Sequence, residues 1–117
     1  MNTESDEFRR ASRHDIPDTV RVVDAMTDKI VGKLGNISET GMLLIASVPL
    51  VDDALYQFRL EIDEGRGQVI EVGAHMLWQD RASAEGQTWM GFRFIKVIDE
   101  HAQPLNDWLR SLATRTA

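Results

Sequence analysis

The sequence has no cysteine. That excludes a disulfide framework, thiolate catalysis and cysteine-based metal sites. Its three histidines, His14, His75 and His101, stand alone without the H-x-x-x-H spacing of a metal pair, so no metal site is expected. Basic residues are in deficit, 13 against 19 acidic, for a net charge of −6. A nucleic-acid binder needs a basic surplus or stripe, so no nucleic-acid partner is expected. No apolar run approaches the ~18 residues of a membrane helix, and no membrane insertion is expected. The first seven residues are polar and acidic and lack the basic and apolar regions of a secretory signal. A soluble, cytoplasmic protein is the expectation. Serines lack a neighbouring histidine and acid, and no glycine-rich loop precedes a helix. No enzyme is therefore expected.

What is present suffices for one packed domain. The chain has 117 residues, 43% of them hydrophobic, enough for one core and too few for two. Residues 1–7 read as a flexible tail, since short charged termini bury too little surface to order themselves. Residues 8–117 read as a single domain. Short segments with turn punctuation predict six strands, over 19–26, 30–37, 41–47, 54–62, 68–79 and 88–97. The segment 41–47 is almost continuously apolar, so both of its faces are expected to be covered. In 54–62, Ala54, Tyr56, Phe58, Leu60 and Ile62 share one face. In 68–79, Ile70, Val72, Ala74, Met76 and Trp78 do the same. Polar stretches at 63–67 and 80–87 read as loops. Leu105, Trp108, Leu109 and Leu112 then follow a helical period, with Pro104 in the first turn and 99–103 leading in. The expected fold is all-β: a six-stranded antiparallel β-barrel, whose closure removes exposed edges, with a C-terminal α-helix.

Two motifs point to function. Arg9 and Arg13 form R-x-x-x-R, with Arg10 beside them. Some 23 residues on, Asn36, Ser38 and Gly41 form N-x-S-x-x-G. On their own, the arginines are a solvated cluster facing Glu4, Asp6 and Glu7, and 36–41 is an Asx-type turn between two strands. An acidic body with one local arginine cluster suits a small anionic ligand better than a polyanion.

The two motifs in this order, with the G-x-x-F run Gly91-Phe92-Arg93-Phe94 and with Trp78 before a loop, resemble the PilZ domain, a bacterial receptor module for cyclic di-GMP. The resemblance covers about residues 8 to 112. It implies that Arg9, Arg10, Arg13, Asn36, Ser38, Gly41 and Trp78 bind cyclic di-GMP, with no further cofactor. It also implies that a downstream protein, not identified by the sequence, receives the signal. Arginine suits that ligand because it stays charged and presents a planar fork matching phosphate oxygens and the O6/N7 edge of guanine. The Asn36 amide can pair with a guanine edge, and Ser38 adds a hydroxyl. Gly41 permits positive φ and lets a ligand approach the backbone. The apolar Phe8 before the first arginine favours one ligand molecule per chain. Ligand is expected to order a mobile segment, 1–14, against the 36–41 loop. The alternative within the same family is an adaptor of pili or motility that binds no nucleotide. A barrel for single-stranded nucleic acid would need aromatic and basic residues interleaved on a strand face, and only Trp89 and Arg93 hint at that.

Overall fold

The computed structural model describes residues 14–16, 19–63, 68–84 and 86–116. Arg9, Arg10, Arg13 and the expected tail lie outside the described residues. Among the described residues, seven strands and one helix follow in order: β1 (His14–Asp15), β2 (Arg21–Asp24), β3 (Lys29–Ile37), β4 (Gly41–Ala46), β5 (Leu55–Asp63), β6 (Gln68–Ala84), β7 (Gln87–Val97) and α1 (Asp99–Thr116). Six of them close on themselves in the circuit β2–β3–β4–β7–β6–β5, every pairing antiparallel. This is the expected six-stranded barrel with a C-terminal helix.

The interior follows from the alternation. Phe58, Leu60, Ile70, Val72, Ala74, Met90 and Phe92 are fully buried, and Met76 is nearly so. Apolar burial of this kind contributes about 1.5–3 kcal/mol per large side chain. Aromatic rings tie non-adjacent strands together across the core. Tyr56 stacks on Phe58 at 5.4 Å, and Phe58 meets Phe92 of β7 edge-on at 5.1 Å. In β4, Met42, Leu43, Leu44 and Ala46 are all buried, as the unbroken apolar run implies.

Four features depart from the sequence reading. The 80–87 stretch is not a plain loop: β6 runs on to Ala84 and β7 starts at Gln87, turning through Gly86 at φ 77°. The polar stretch belongs to a long hairpin in which Asp80, Gly86 and Gln87 are exposed. Helix α1 starts at Asp99, five residues before Pro104. The proline removes one amide donor near the helix start, and Asp99 and Glu100 suit the positive end of the helix dipole. His14, expected in the mobile segment, instead opens β1, where His14 and Asp15 pair with Ile37 and Asn36 of β3.

The fourth departure concerns Trp78. It does not share the face of Met76, because β6 is bulged. Met76 pairs with Phe92 while Trp78 pairs with Gly91, so Leu77 is an extra residue. An inserted residue reverses the alternation beyond it. Trp78 is therefore turned to the outer surface, where it is 39% exposed.

Helix α1 contributes Leu105, Leu109 and Leu112 to the core and packs against β1 and β6. Its first turn is fastened to the barrel. The Ile98 carbonyl accepts from the His101 N–H at 2.7 Å, and His101 Nδ1 accepts the Glu71 N–H at 2.9 Å.

Candidate functional site

The N-x-S-x-x-G motif is the end of β3, a tight turn and the start of β4. Ser38 builds that turn. Its N–H donates to the Gly41 carbonyl at 2.9 Å. Its Oγ accepts the Thr40 N–H at 3.2 Å, lies 3.3 Å from Thr40 Oγ1 and donates to the Gly41 carbonyl at 3.4 Å. With 1% of its surface exposed, Ser38 is a buried hydroxyl whose bonds all lie within the motif. Such local side-chain bonds are how serine stabilises turns. Glu39 and Thr40 form the exposed tip.

Gly41 is required for a reason the sequence reading missed. The positive-φ positions among the described residues are Asp28, Asp53 and Gly86, and Gly41 is not one of them. Instead β7 passes close: a β-carbon at 41 would stand 2.2 Å from the Phe92 carbonyl oxygen. Close backbone approach, not left-handed geometry, selects glycine here.

A bulge sets the direction of Asn36. Leu34 pairs with Leu44 and Asn36 pairs with Leu43, so Gly35 is the extra residue. Leu34, Leu44 and Ile37 point into the core. Without the bulge Asn36 would fall opposite buried Met42. With it, Asn36 lies half-buried on the outer face beside Leu43.

The two bulges together produce the site. Reading outward across the sheet, Asn36 of β3 faces Leu43 of β4, Leu43 faces Gly91 of β7, and Gly91 faces Trp78 of β6. These four make one row on the barrel surface, about 14 Å long at ordinary strand spacing. The Trp78 indole covers Gly91, filling the place a side chain there would occupy. A second row runs beside the first, about 7 Å along the strands. It contains Gly41, Arg93 and His75, joined by register, with the Ser38 turn at its end. Thr40 is bound into it as well, its carbonyl accepting the Phe94 N–H at 2.9 Å. His75 is half-buried, with Nε2 2.5 Å from Asp53 Oδ1.

Four of the seven residues read from the sequence, Asn36, Ser38, Gly41 and Trp78, thus come together. Arg9, Arg10 and Arg13 lie outside the described residues, but the chain enters the barrel at β1, on Asn36 and Ile37 themselves. Sequence reasoning passed over Arg93 and His75. Their place depends on β6–β7 register, which the Leu77 bulge shifts. The site is an open surface with an amide at one end and an aromatic plate at the other. A cavity bordered by Ala46, Pro49, Gln79 and Thr88 lies at the opposite end of β4 from the motif turn. Among the described residues no group of three or more acidic or histidine side chains could hold a metal.

Fold and surface define a small closed barrel with a turn-and-strand site on its outer wall. The PilZ domain family model matches residues 7–111, and the chain belongs to that family. Similar solved structures agree. The PilZ domain with c-di-GMP of YcgR from Escherichia coli has a TM-score of 0.70 at 16% identity, covering 92% of this chain and 93% of that one. The Bacillus subtilis inhibitor of motility MotI/DgrA has a TM-score of 0.70 at 15% identity. YcgR from Escherichia coli in complex with c-di-GMP has a TM-score of 0.69 at 18% identity. The present chain covers 50% of MotI/DgrA and 47% of that longer YcgR chain, about half of each. At these identities the likeness is one of fold. No curated protein matches the sequence.

Proposed function

We propose that this protein is a cyclic di-GMP receptor that orders an N-terminal arginine arm on its ligand and signals to a protein partner in the cytoplasm. The observation that carries the reading is the outer row from Asn36 to Trp78, with the strand that leads out of the arm paired to its Asn36 end. One guanine stacks on the Trp78 indole, and the Asn36 amide reads a guanine edge. Ser38 and Gly41 hold the turn between the rows. Arg9, Arg10 and Arg13 supply the charge for the two phosphates.

Chain length permits this closure. Arg9 is five residues before His14, and five extended residues reach at most about 17 Å. β1 pairs with β3 on the side away from β4, so Trp78 lies about 19 Å from β1 at ordinary strand spacing, and the backbone of the arm can cover the Asn36 end and the middle of the row. Differential contact of the arm with and without ligand then creates a surface that a partner can recognise. Arginine-rich arms gain most from such closure, because charge-assisted bonds strengthen when water is excluded.

The test is a residue-resolved NMR titration with cyclic di-GMP. The reading requires shifts at Asn36, Gly91 and the Trp78 indole N–H, and none at the Met26–Asp28 turn at the far end of β3. Shifts confined elsewhere would move the site away from this row, and no shifts would leave an adaptor that binds no nucleotide.

A further inference from the structure

We infer that Arg93 is a scaffold-borne cation of the same site, contacting a phosphate of the bound cyclic dinucleotide; this rests on the receptor reading above. On β7, Met90 and Phe92 are fully buried, so the intervening Gly91 and the following Arg93 lie on the outer face. Arg93 sits two residues from Gly91, the glycine roofed by Trp78. Its cross-strand neighbours are Gly41 and His75. Gly41 offers no side chain, so on that flank the neighbour of Arg93 is the bare backbone of the motif. The next residue, Phe94, is bonded to the Thr40 carbonyl, which fixes this stretch of β7 against the motif turn.

The charge of the surface gives this position its importance. Across the described residues of the two rows, Arg93 is the one arginine or lysine. His75 is the other group there able to carry positive charge, with Nε2 2.5 Å from Asp53 Oδ1. The whole chain carries a net charge of −6, so a ligand with two phosphates approaches an acidic body. An arginine fixed on a strand attracts it before the arm closes, and its planar fork matches a phosphate oxygen pair. Arg93 is also half-buried, and partial desolvation strengthens such a contact.

The experiment is calorimetry with cyclic di-GMP at low and physiological salt, with a thermal melt for every variant. It compares the wild-type chain, Arg93→Gln, Arg93→Lys and Arg9→Ala. The expected result is an affinity about ten- to hundredfold lower for Arg93→Gln, the loss usual for a hydrogen bond to a charged group. Its salt dependence should be shallower, its melt close to wild type, and Arg93→Lys should recover part of the binding, keeping the charge without the fork. If Arg93→Gln melts early, Arg93→Met keeps the apolar stem and takes its place. Arg93→Gln binding within twofold of wild type while Arg9→Ala fails to bind would overturn the Arg93 assignment and leave the receptor intact. No binding by the wild-type chain would overturn both.

Discussion

Trp78 and Gly91 are fitted to each other: a β-carbon at position 91 would lie 2.3 Å from the indole Nε1 and 2.4 Å from Cε2. Contacts that short do not occur, so any side chain at 91 forces the indole off the strand. Glycine there is what allows the ring to lie against the barrel wall, in line with Leu43 and Asn36. Two bulges, at Gly35 and Leu77, put both ends of that line on the same face.

This pairing gives the first prediction. Trp78→Ala should weaken cyclic di-GMP binding by about 1–3 kcal/mol, the usual loss for a base stacked on an aromatic side chain. Gly91→Ala should weaken it in the same direction although it touches no ligand, because the plate is displaced. Calorimetry measures both, and tryptophan emission reports the displacement. Unchanged affinity in both variants would remove Trp78 from the site.

Gly41 tests the packing explanation against a conformational one. A methyl at 41 meets the Phe92 carbonyl oxygen, a backbone atom that cannot swing aside. Gly41→Ala should therefore destabilise the fold by about 1–3 kcal/mol, the range for overpacking, and loosen the motif turn. Gly86 is the control, with φ 77° and no atom within 4 Å of an added β-carbon. Gly86→Ala should cost about 1 kcal/mol through backbone conformation alone. Denaturant titration of the two variants distinguishes them, and equal, small losses would contradict the close approach.

Ser38→Ala removes the Oγ that caps the Thr40 N–H and links to Gly41. The expected loss is about 1–2 kcal/mol of stability, together with weaker ligand binding as the turn loosens. A melt and a titration on the same sample check it. Lost binding with an unchanged melt would show that the hydroxyl acts on the ligand directly and not through the turn.

The helix start offers a prediction independent of ligand. His101→Phe removes the acceptor for the Glu71 N–H, leaving a partly buried donor unpaired. Stability should fall by about 1–3 kcal/mol, and hydrogen exchange at Glu71 should accelerate. Undiminished protection at that amide would show that another group accepts it.

Much of this was legible in the sequence. Alternation in 54–62 and 68–79 identified the core faces through Phe58, Leu60, Ile70 and Val72, because period two is imposed by the pleat itself. The Leu105, Leu109 and Leu112 stripe located the helix. What alternation cannot show is where it is interrupted. Trp78 continues the apolar phase of Met76 in sequence, yet Leu77 is an extra residue in the ladder, so the phase reverses in the fold. Gly35 inside a strand is a local sign of a bulge, and that bulge decides the orientation of Asn36. Arg93 was unreadable for the same reason, since its neighbours depend on register across three strands. At Gly41 the need for glycine lies in the Phe92 carbonyl, which a β-carbon there would meet, a residue 51 positions away.

The central claim is that a cyclic dinucleotide is gripped between the arginine arm and the Asn36–Trp78 row. Calorimetric titration with cyclic di-GMP, with GTP and cyclic GMP as controls, tests it most directly when run on wild type, Arg9→Ala and Arg13→Ala. The account predicts saturable binding of cyclic di-GMP alone by the wild-type chain. Each arginine variant should lose about 2–5 kcal/mol of binding energy, the range for a desolvated charge pair, with its melting temperature unchanged. Wild-type affinity in both variants, or no binding by the wild-type chain, would contradict it.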